Sequence, residues 1–231
     1  MSFTLLIPAK SDEERNLVAE LWAASVGPVV RIDRFWEPPE VDRKNARLYG
    51  NDTFCLVLAQ LLDLVLVSPA DDWLFSLPTG ALGRCLDRVA LRDASSIALP
   101  RFMKPIIPTQ FRAAVYPDLA ALEAETRGLE DDTEVIVSEV IDISAEARCF
   151  VLDASVQAAA CYEGDGDTTA AAEFVTALVQ SVAVPKTLVV DVALVGGRWV
   201  VLEANATWGA GLNGCDPQGV VACLLEAVTT E

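Results

Sequence analysis

Hydrophobic and polar positions recur along this chain with two different periods, and the change of period divides it. Residues 3-FTLLIPA-9 and 29-VVRIDRFW-36 are short apolar runs of strand length. Between them the spacing predicts a helix to about Ser25, stopped by Gly27-Pro28. Ser11 and Glu14 stand as a capping box, and acids at 12 to 14 suit a helix N-terminus. A loop rich in Pro and charge follows. Asn51 or Asp52 then caps an apolar helix, and 64-LVLVSP-69 reads as a short buried strand. Residues 70–95 read as helical, broken near Pro78 and Gly80. Strand–helix alternation of this kind predicts an α/β layer with a parallel sheet.

After about residue 97 short strands dominate: 99-LPRFMKP-105, 111-FRAAVY-116, 134-EVIVSEV-140, 147-ARCFVLDA-154 and 156-VQAAACYE-163. Helices are expected near 118–128, near 168–182 and at the C-terminal side of the chain. This is an α+β pattern with antiparallel strands. The expected organisation is therefore an α/β domain over 1–96 and an α+β domain over 97–231.

One stretch breaks its own pattern. In 188-LVVDVALVGGRWVVLEANATWG-209 two strands meet at Gly196-Gly197, yet Asp191, Glu203 and Asn205 interrupt runs that otherwise read as core. Strict alternation puts Asp191 with Ala193 and Val195 on one face, and Glu203 and Asn205 with Trp199 and Val201. A regular two-residue turn would pair Asp191 with Leu202 and send Glu203 to the other face. An odd-length loop or one bulge brings the two acids together, so one of these is expected. Two carboxylates about 5 Å apart repel by roughly 3 kcal/mol at an effective dielectric near 20, and a cation removes that cost. Two carboxylates and an amide, all hard oxygen ligands, fit magnesium rather than zinc, and magnesium with few protein ligands usually also holds phosphates.

Composition narrows the chemistry. The 231 residues carry 17 Lys plus Arg against 34 Asp plus Glu, a net charge of −17, with no basic run. Nucleic acid and anionic membrane surfaces are therefore poor partners. There is no His, which removes His general-base catalysis, Ser-His-Asp triads and His-ligated zinc. The six Cys form no CxxC and sit mostly in apolar runs, as reduced thiols of a cytoplasmic protein do. The first residues lack a basic segment and a long apolar core, so no signal peptide is read there. The run 54-FCLVLAQLLDLVLVSP-69 carries Gln60 and Asp63 and is too short to span a bilayer. Lys104 is one of only four lysines and lies in an apolar strand, where an ammonium needs an anion such as phosphate.

The segment D-V-A-L-V-G-G-R-W-V-V-L-E-A-N resembles the metal-binding hairpin of the ATP-grasp superfamily, typified by D-alanine–D-alanine ligases. Upstream, 135-VIVSEVIDISAEARCFV-151 is similar to the strand, adenine-binding hinge and next strand of that fold, and 101-RFMKP-105 to the strand whose lysine contacts nucleotide phosphates. The whole chain looks closest to a bacterial and phage clade of small ATP-grasp proteins with a short α/β pre-ATP-grasp domain. The features that carry this are 48-LYGND-52, 73-WLFSLP-78 with Arg84, the Lys104 strand, 146-EARCF-150 and 205-NATWGAGLNGCDP-217.

The resemblance implies ATP and Mg2+ as cofactors. It implies a nucleotide site of Lys104, Glu139, Val140, Ile141 and Glu146, with Glu139 as hinge acid and Glu146 as ribose acid. Asp191, Glu203 and Asn205 would hold the metal. Lys104, Arg148 and Arg84 would serve catalysis, Arg148 holding the γ-phosphate or the substrate carboxylate. Two features depart from the family. Val189 stands where many members have an arginine two positions before the metal aspartate, a charge that Arg148 or Arg84 could supply. The stretch 105-PIIPTQF-111 has no glycine where many members have a glycine-rich phosphate loop. The expected activity is a carboxylate–amine ligase acting through an acylphosphate. A phosphotransferase and a nucleotide-binding protein without turnover are the alternatives. The expected partners are small-molecule or peptide carboxylate and amine substrates, and a homodimer is compatible with the pattern.

Overall fold

The computed structural model describes residues 2–230. In chain order the elements begin with β1 (Thr4–Pro8), α1 (Glu13–Ser25), β2 (Val29–Ile32), β3 (Ala46–Leu48), α2 (Asp52–Leu62) and β4 (Val65–Leu66). Next come α3 (Thr79–Leu82), β5 (Leu86–Ala90), β6 (Arg101–Pro105), β7 (Ala114–Tyr116), α4 (Leu119–Glu125) and β8 (Glu134–Ser138). The remainder is β9 (Ala145–Leu152), β10 (Ser155–Gly164), α5 (Thr168–Ser181), β11 (Thr187–Val195), β12 (Arg198–Asn205), α6 (Pro217–Leu225) and β13 (Val228–Thr229). Two compact units result. One joins Met1–Pro69 with Ser144–Glu231, and the other is Ala70–Ile143. The boundary expected near residue 96 falls inside the second of these.

The first unit contains the predicted parallel sheet, in the order β2-β1-β3. Its α1 starts differently from the capping-box reading. Asp12 is the N-cap and accepts the Arg15 N–H, while the Ser11 hydroxyl turns back to the Pro8 carbonyl. Glu14 is thereby released from capping and reaches elsewhere. Asn51 caps α2 as expected, accepting from the Phe54 N–H. A second sheet, antiparallel, has the order β10-β9-β11-β12, and β4 pairs with β13. One core serves both sheets. Leu5, Trp22, Leu48 and Phe54 from the first part pack with Phe150, Val189, Val220 and Leu224. Trp208 belongs to this core, 6% exposed, with its indole N–H donated to Ser68.

The second unit is an antiparallel sheet in the order β5-β8-β6-β7. Its own core is small, built on Met103, Phe111, Tyr116, Leu122, Val135 and Val137. Helix was expected through 70–95, but β5 lies there. Its sequence LDRVA sets two adjacent charges, Asp87 and Arg88, between apolar residues and occupies a sheet edge, so it lacks the apolar run by which a buried strand is recognised. No helix among the described residues is long and apolar enough to cross a membrane.

Candidate functional site

The hairpin β11–β12 turns at Gly196-Gly197, whose φ angles of 54° and 78° are those of a two-residue type I′ turn. Pairing runs regularly from Val195–Arg198 to Val192–Val201, then shifts, so that Asp191 faces Glu203 and Val189 faces Asn205. The extra residue is Leu202. This bulge is the irregularity that the spacing demanded. It also overturns strict alternation: Trp199 and Val201 lie on the face opposite to Glu203 and Asn205, and the Trp199 ring lies against Gly166 just before α5.

On its other side Asp191 faces Arg148 of β9. Arg148, Asp191 and Glu203 thus form one row across three strands. Arg148 closes on both Asp191 oxygens, Nε to Oδ1 at 2.8 Å and Nη2 to Oδ2 at 2.7 Å, a fork-on-fork pair. Its third arm, Nη1, donates to the Gly211 carbonyl at 2.9 Å. The Asn205 amide nitrogen bridges the acids, 3.1 Å from Asp191 and 3.0 Å from Glu203. Two residues before Arg148 and on its face, Glu146 accepts the Tyr162 hydroxyl at 2.6 Å. Burial pushes the Asp191 carboxyl above its ordinary range, against the pull of Arg148. Burial likewise opposes the Arg148 charge, but the hydrogen bonds and charge of Asp191 outweigh it and the guanidinium is held more firmly than usual. The two short bonds are those of an ionised pair.

Asp191 and Glu203 share the one guanidinium of Arg148, which leaves an excess of one negative charge, while Glu146 on the same face is engaged by the Tyr162 hydroxyl. Among the described residues no group of three or more His, Cys, Asp or Glu is arranged to hold a metal. The protein ligands offered to such an ion are therefore few and hard: Glu203, Asp191 and, with its amide turned over, the oxygen of Asn205. That set fits magnesium shared with phosphate oxygens. Val189, in the place of the arginine noted above, is fully buried beside Phe150.

Arg84, Lys104, Glu139, Val140 and Ile141 lie in the second unit. Lys104, half-buried on β6, pairs with Ile136 of the neighbouring β8. Glu139 follows β8, and its carboxylate accepts the Cys85 N–H at 3.1 Å. Arg84, next to Cys85, is 7% exposed and donates to the Leu82 carbonyl. Burial lowers its pKa from the ordinary arginine value. Val140 and Ile141 belong to the irregular link into Ile143 and Ser144, where the second unit ends and the first resumes. In the glycine-free stretch after β6, Thr109 takes a φ of 69°, a costly conformation for a β-branched residue.

Residues outside the predicted set stand close to the row. The Glu14 carboxylate accepts the N–H groups of Leu212 at 2.9 Å, Asn213 at 3.3 Å and Gly214 at 3.4 Å. Arg15 donates to the Gly209 carbonyl at 3.2 Å, ion-pairs with Asp12, and lies over the Tyr49 ring, 5.4 Å from its centroid. Arg15 and Arg148 so hold carbonyls two residues apart in one loop. The only signal in the sequence for this cluster was Glu14 at the helix start, and helix capping accounted for it there.

A family profile described as an ATP-grasp domain, family 2 of the R-2-K clade, matches residues 82–223. Among solved structures, a RimK domain protein ATP-grasp from Sphaerobacter thermophilus DSM 20745 is similar, with a TM-score of 0.63 at 18% identity over 98% of each chain. The ATP-grasp ligase PsnB complexed with minimal precursor gives 0.58 at 14% identity, covering 97% of this chain and 98% of that one. D-alanine–D-alanine ligase from Bacillus anthracis complexed with ATP gives 0.50 at 11% identity, covering 98% and 97%. No curated protein matches the sequence significantly.

Proposed function

We propose that this chain, which belongs to family 2 of that clade of ATP-grasp domains, is an ATP- and magnesium-dependent ligase joining a carboxylate to an amine. The observation that carries the reading is the row Arg148–Asp191–Glu203 with its bridging Asn205, a hard-oxygen cluster with one negative charge in excess. Glu203, Asn205 and Asp191 would hold magnesium, which when bound supplies charge neutralisation at the β- and γ-phosphates. Lys104 steadies phosphate as a point charge. Glu139, Val140 and Ile141 take the adenine side, and Glu146 the ribose. Arg148 turns a guanidinium arm to the transferring group, with Arg84 as a further cation.

In the reaction the bond from the γ-phosphorus to the bridging oxygen of ADP breaks, and a bond from that phosphorus to a substrate carboxylate oxygen forms. The amine nitrogen then attacks the acyl carbon and loses a proton, and inorganic phosphate leaves. No side-chain nucleophile is needed, so the lack of His costs nothing. The residues act by positioning and electrostatics. PsnB, one of the similar proteins, is complexed with a precursor peptide, so peptide carboxylates belong in a substrate screen.

Thermal stability with and without a non-hydrolysable ATP analogue and magnesium tests the reading. Ligand at about 100 times its dissociation constant adds roughly 2.7 kcal/mol. A magnesium-dependent rise in melting temperature, lost in Glu203→Gln, is expected; an unmoved wild type would end the ligase reading. Fully buried Val189 and the glycine-free stretch after β6 favour a second reading, nucleotide binding without turnover. Binding with no ADP release in the presence of any carboxylate–amine pair would select it.

A further inference from the structure

Strand β10 carries one residue more than its partner β9 near the end of their pairing. Ala160 pairs with Arg148 and Cys161 with Ala147, but Glu163, not Tyr162, pairs with Glu146. Tyr162 is the extra residue. Bulges of this kind gather beside functional sites, where they re-aim a side chain. The strand is fixed just after it. Gly164, at a φ of 71°, lies so close to β9 that a Cβ there would collide with the Ser144 carbonyl oxygen. Earlier on β10, Ala158 and Ala160 pack into the core, whereas Tyr162 stays 36% exposed. Its ring is not a core residue, and its chemistry lies in the hydroxyl.

That hydroxyl donates to Glu146 Oε2 at 2.6 Å, a short bond of the charge-assisted kind. Burial, with the hydrogen bond to Glu146 and the charge of Asp191 behind it, holds the phenol protonated well above the ordinary tyrosine range, against the pull of Arg148. It is therefore a permanent donor at neutral pH. The bond uses one oxygen of Glu146 and leaves the other for a ligand. Glu146 and Arg148 stand two residues apart on one face of β9, an acid and a base within reach of each other. The structure pairs both with other groups: Glu146 with Tyr162, and Arg148 with Asp191 and the Gly211 carbonyl.

We propose that Tyr162 is a positioning residue that sets specificity for the nucleotide sugar: by tying one oxygen of Glu146 it keeps this acid away from Arg148 and fixed for a ribose hydroxyl. The proposal rests on the ligase reading above, in which Glu146 takes the ribose. A site that binds a hydroxyl rejects the deoxy analogue because the abandoned acceptor is left unpaired. An untethered Glu146 would swing to Arg148, and a deoxyribose would then cost it little. Arg148 would also be drawn away from Asp191. Tyr162 closes that route, so one phenol sharpens the choice of sugar and protects the Arg148–Asp191 pair.

Calorimetric titration of the full chain with ADP, 2′-deoxy-ADP and 3′-deoxy-ADP, each with magnesium, tests this. The wild type should bind ADP about tenfold or more tightly than at least one deoxy analogue, the size of one hydrogen bond to a charged group. In Tyr162→Phe that preference should fall below about threefold, as when the lost bond no longer leaves an acceptor stranded. In Glu146→Gln it should be small already, and adding Tyr162→Phe should not change it, since the two groups act as one. A second readout needs no nucleotide. The NMR signal of the Arg148 Nε–H should move in Tyr162→Phe, and much less when Glu146→Gln is already present. Tyr162→Leu, with the same expectations, replaces Tyr162→Phe if the latter does not fold. A Tyr162 variant that keeps the wild-type preference overturns the proposal and spares the ligase reading. So does a wild type that binds all three nucleotides alike, or an Arg148 signal that stays in place. A wild type with no magnesium-dependent ADP binding overturns both.

Discussion

Asp191 keeps a carboxylate inside a sheet, 2% exposed, because Arg148 closes on both of its oxygens and Asn205 adds a third hydrogen bond. Removing one partner of such a pair strands the other as an uncompensated buried charge, at a cost of about 3–5 kcal/mol. Arg148→Met should therefore lower the urea midpoint strongly, and adding Asp191→Asn should restore part of the loss. Independent, additive losses would show that the two groups do not depend on each other. The acids of this row were legible because charges inside an apolar hairpin contradict its pattern. Glu14 and Tyr49 were not. The bonds of Glu14 to Leu212 and Asn213 join positions 198 and 199 residues apart, and no local rule reaches that far.

At the scale of elements, the spacing of twelve between Asp191 and Glu203 predicts a parity error that one bulge repairs, and Leu202 is that bulge. Most strands and helices lie where periodicity places them. Edge strand β5 does not, since five residues with adjacent charges at Asp87 and Arg88 show no period-2 alternation and read equally as a loop or helix. α6 offers a test of packing against propensity. A Cβ on Gly219 would collide with the Gln157 carbonyl oxygen and come within 2.8 Å of the Ala158 Cβ, both on β10. Alanine favours a helix over glycine by about 1 kcal/mol, yet overpacking costs about 1–3 kcal/mol. Gly219→Ala should thus destabilise the protein in denaturant unfolding. A gain in stability would mean that α6 can slide on the sheet.

For the molecule as a whole, the net charge of −17 predicts self-repulsion of the folded chain. Raising sodium chloride from about 0.01 to 0.5 M shortens the screening length from about 30 Å to under 5 Å, so the melting temperature should rise by several degrees. A flat or falling profile would show that local ion pairs outweigh the surplus. The parallel and antiparallel layers were legible as a change of texture near residue 96, but the antiparallel sheet already begins at Leu86. Which segments share a core was hidden, because Met1–Pro69 and Ser144–Glu231 form one unit around an uninterrupted stretch that forms another. That discontinuity sets a clock on synthesis. Val65 and Leu66 find their ladder partners only in Thr229 and Val228, and Leu5, Trp22 and Phe54 share a core with Val220 and Leu224. At about 5–20 residues per second, the first strands wait on the order of ten seconds or more on the ribosome with their apolar faces uncovered. Residues 70–143 emerge whole in that interval and are free to fold first, so the nascent chain's need for a chaperone should fall on the segment before Pro69.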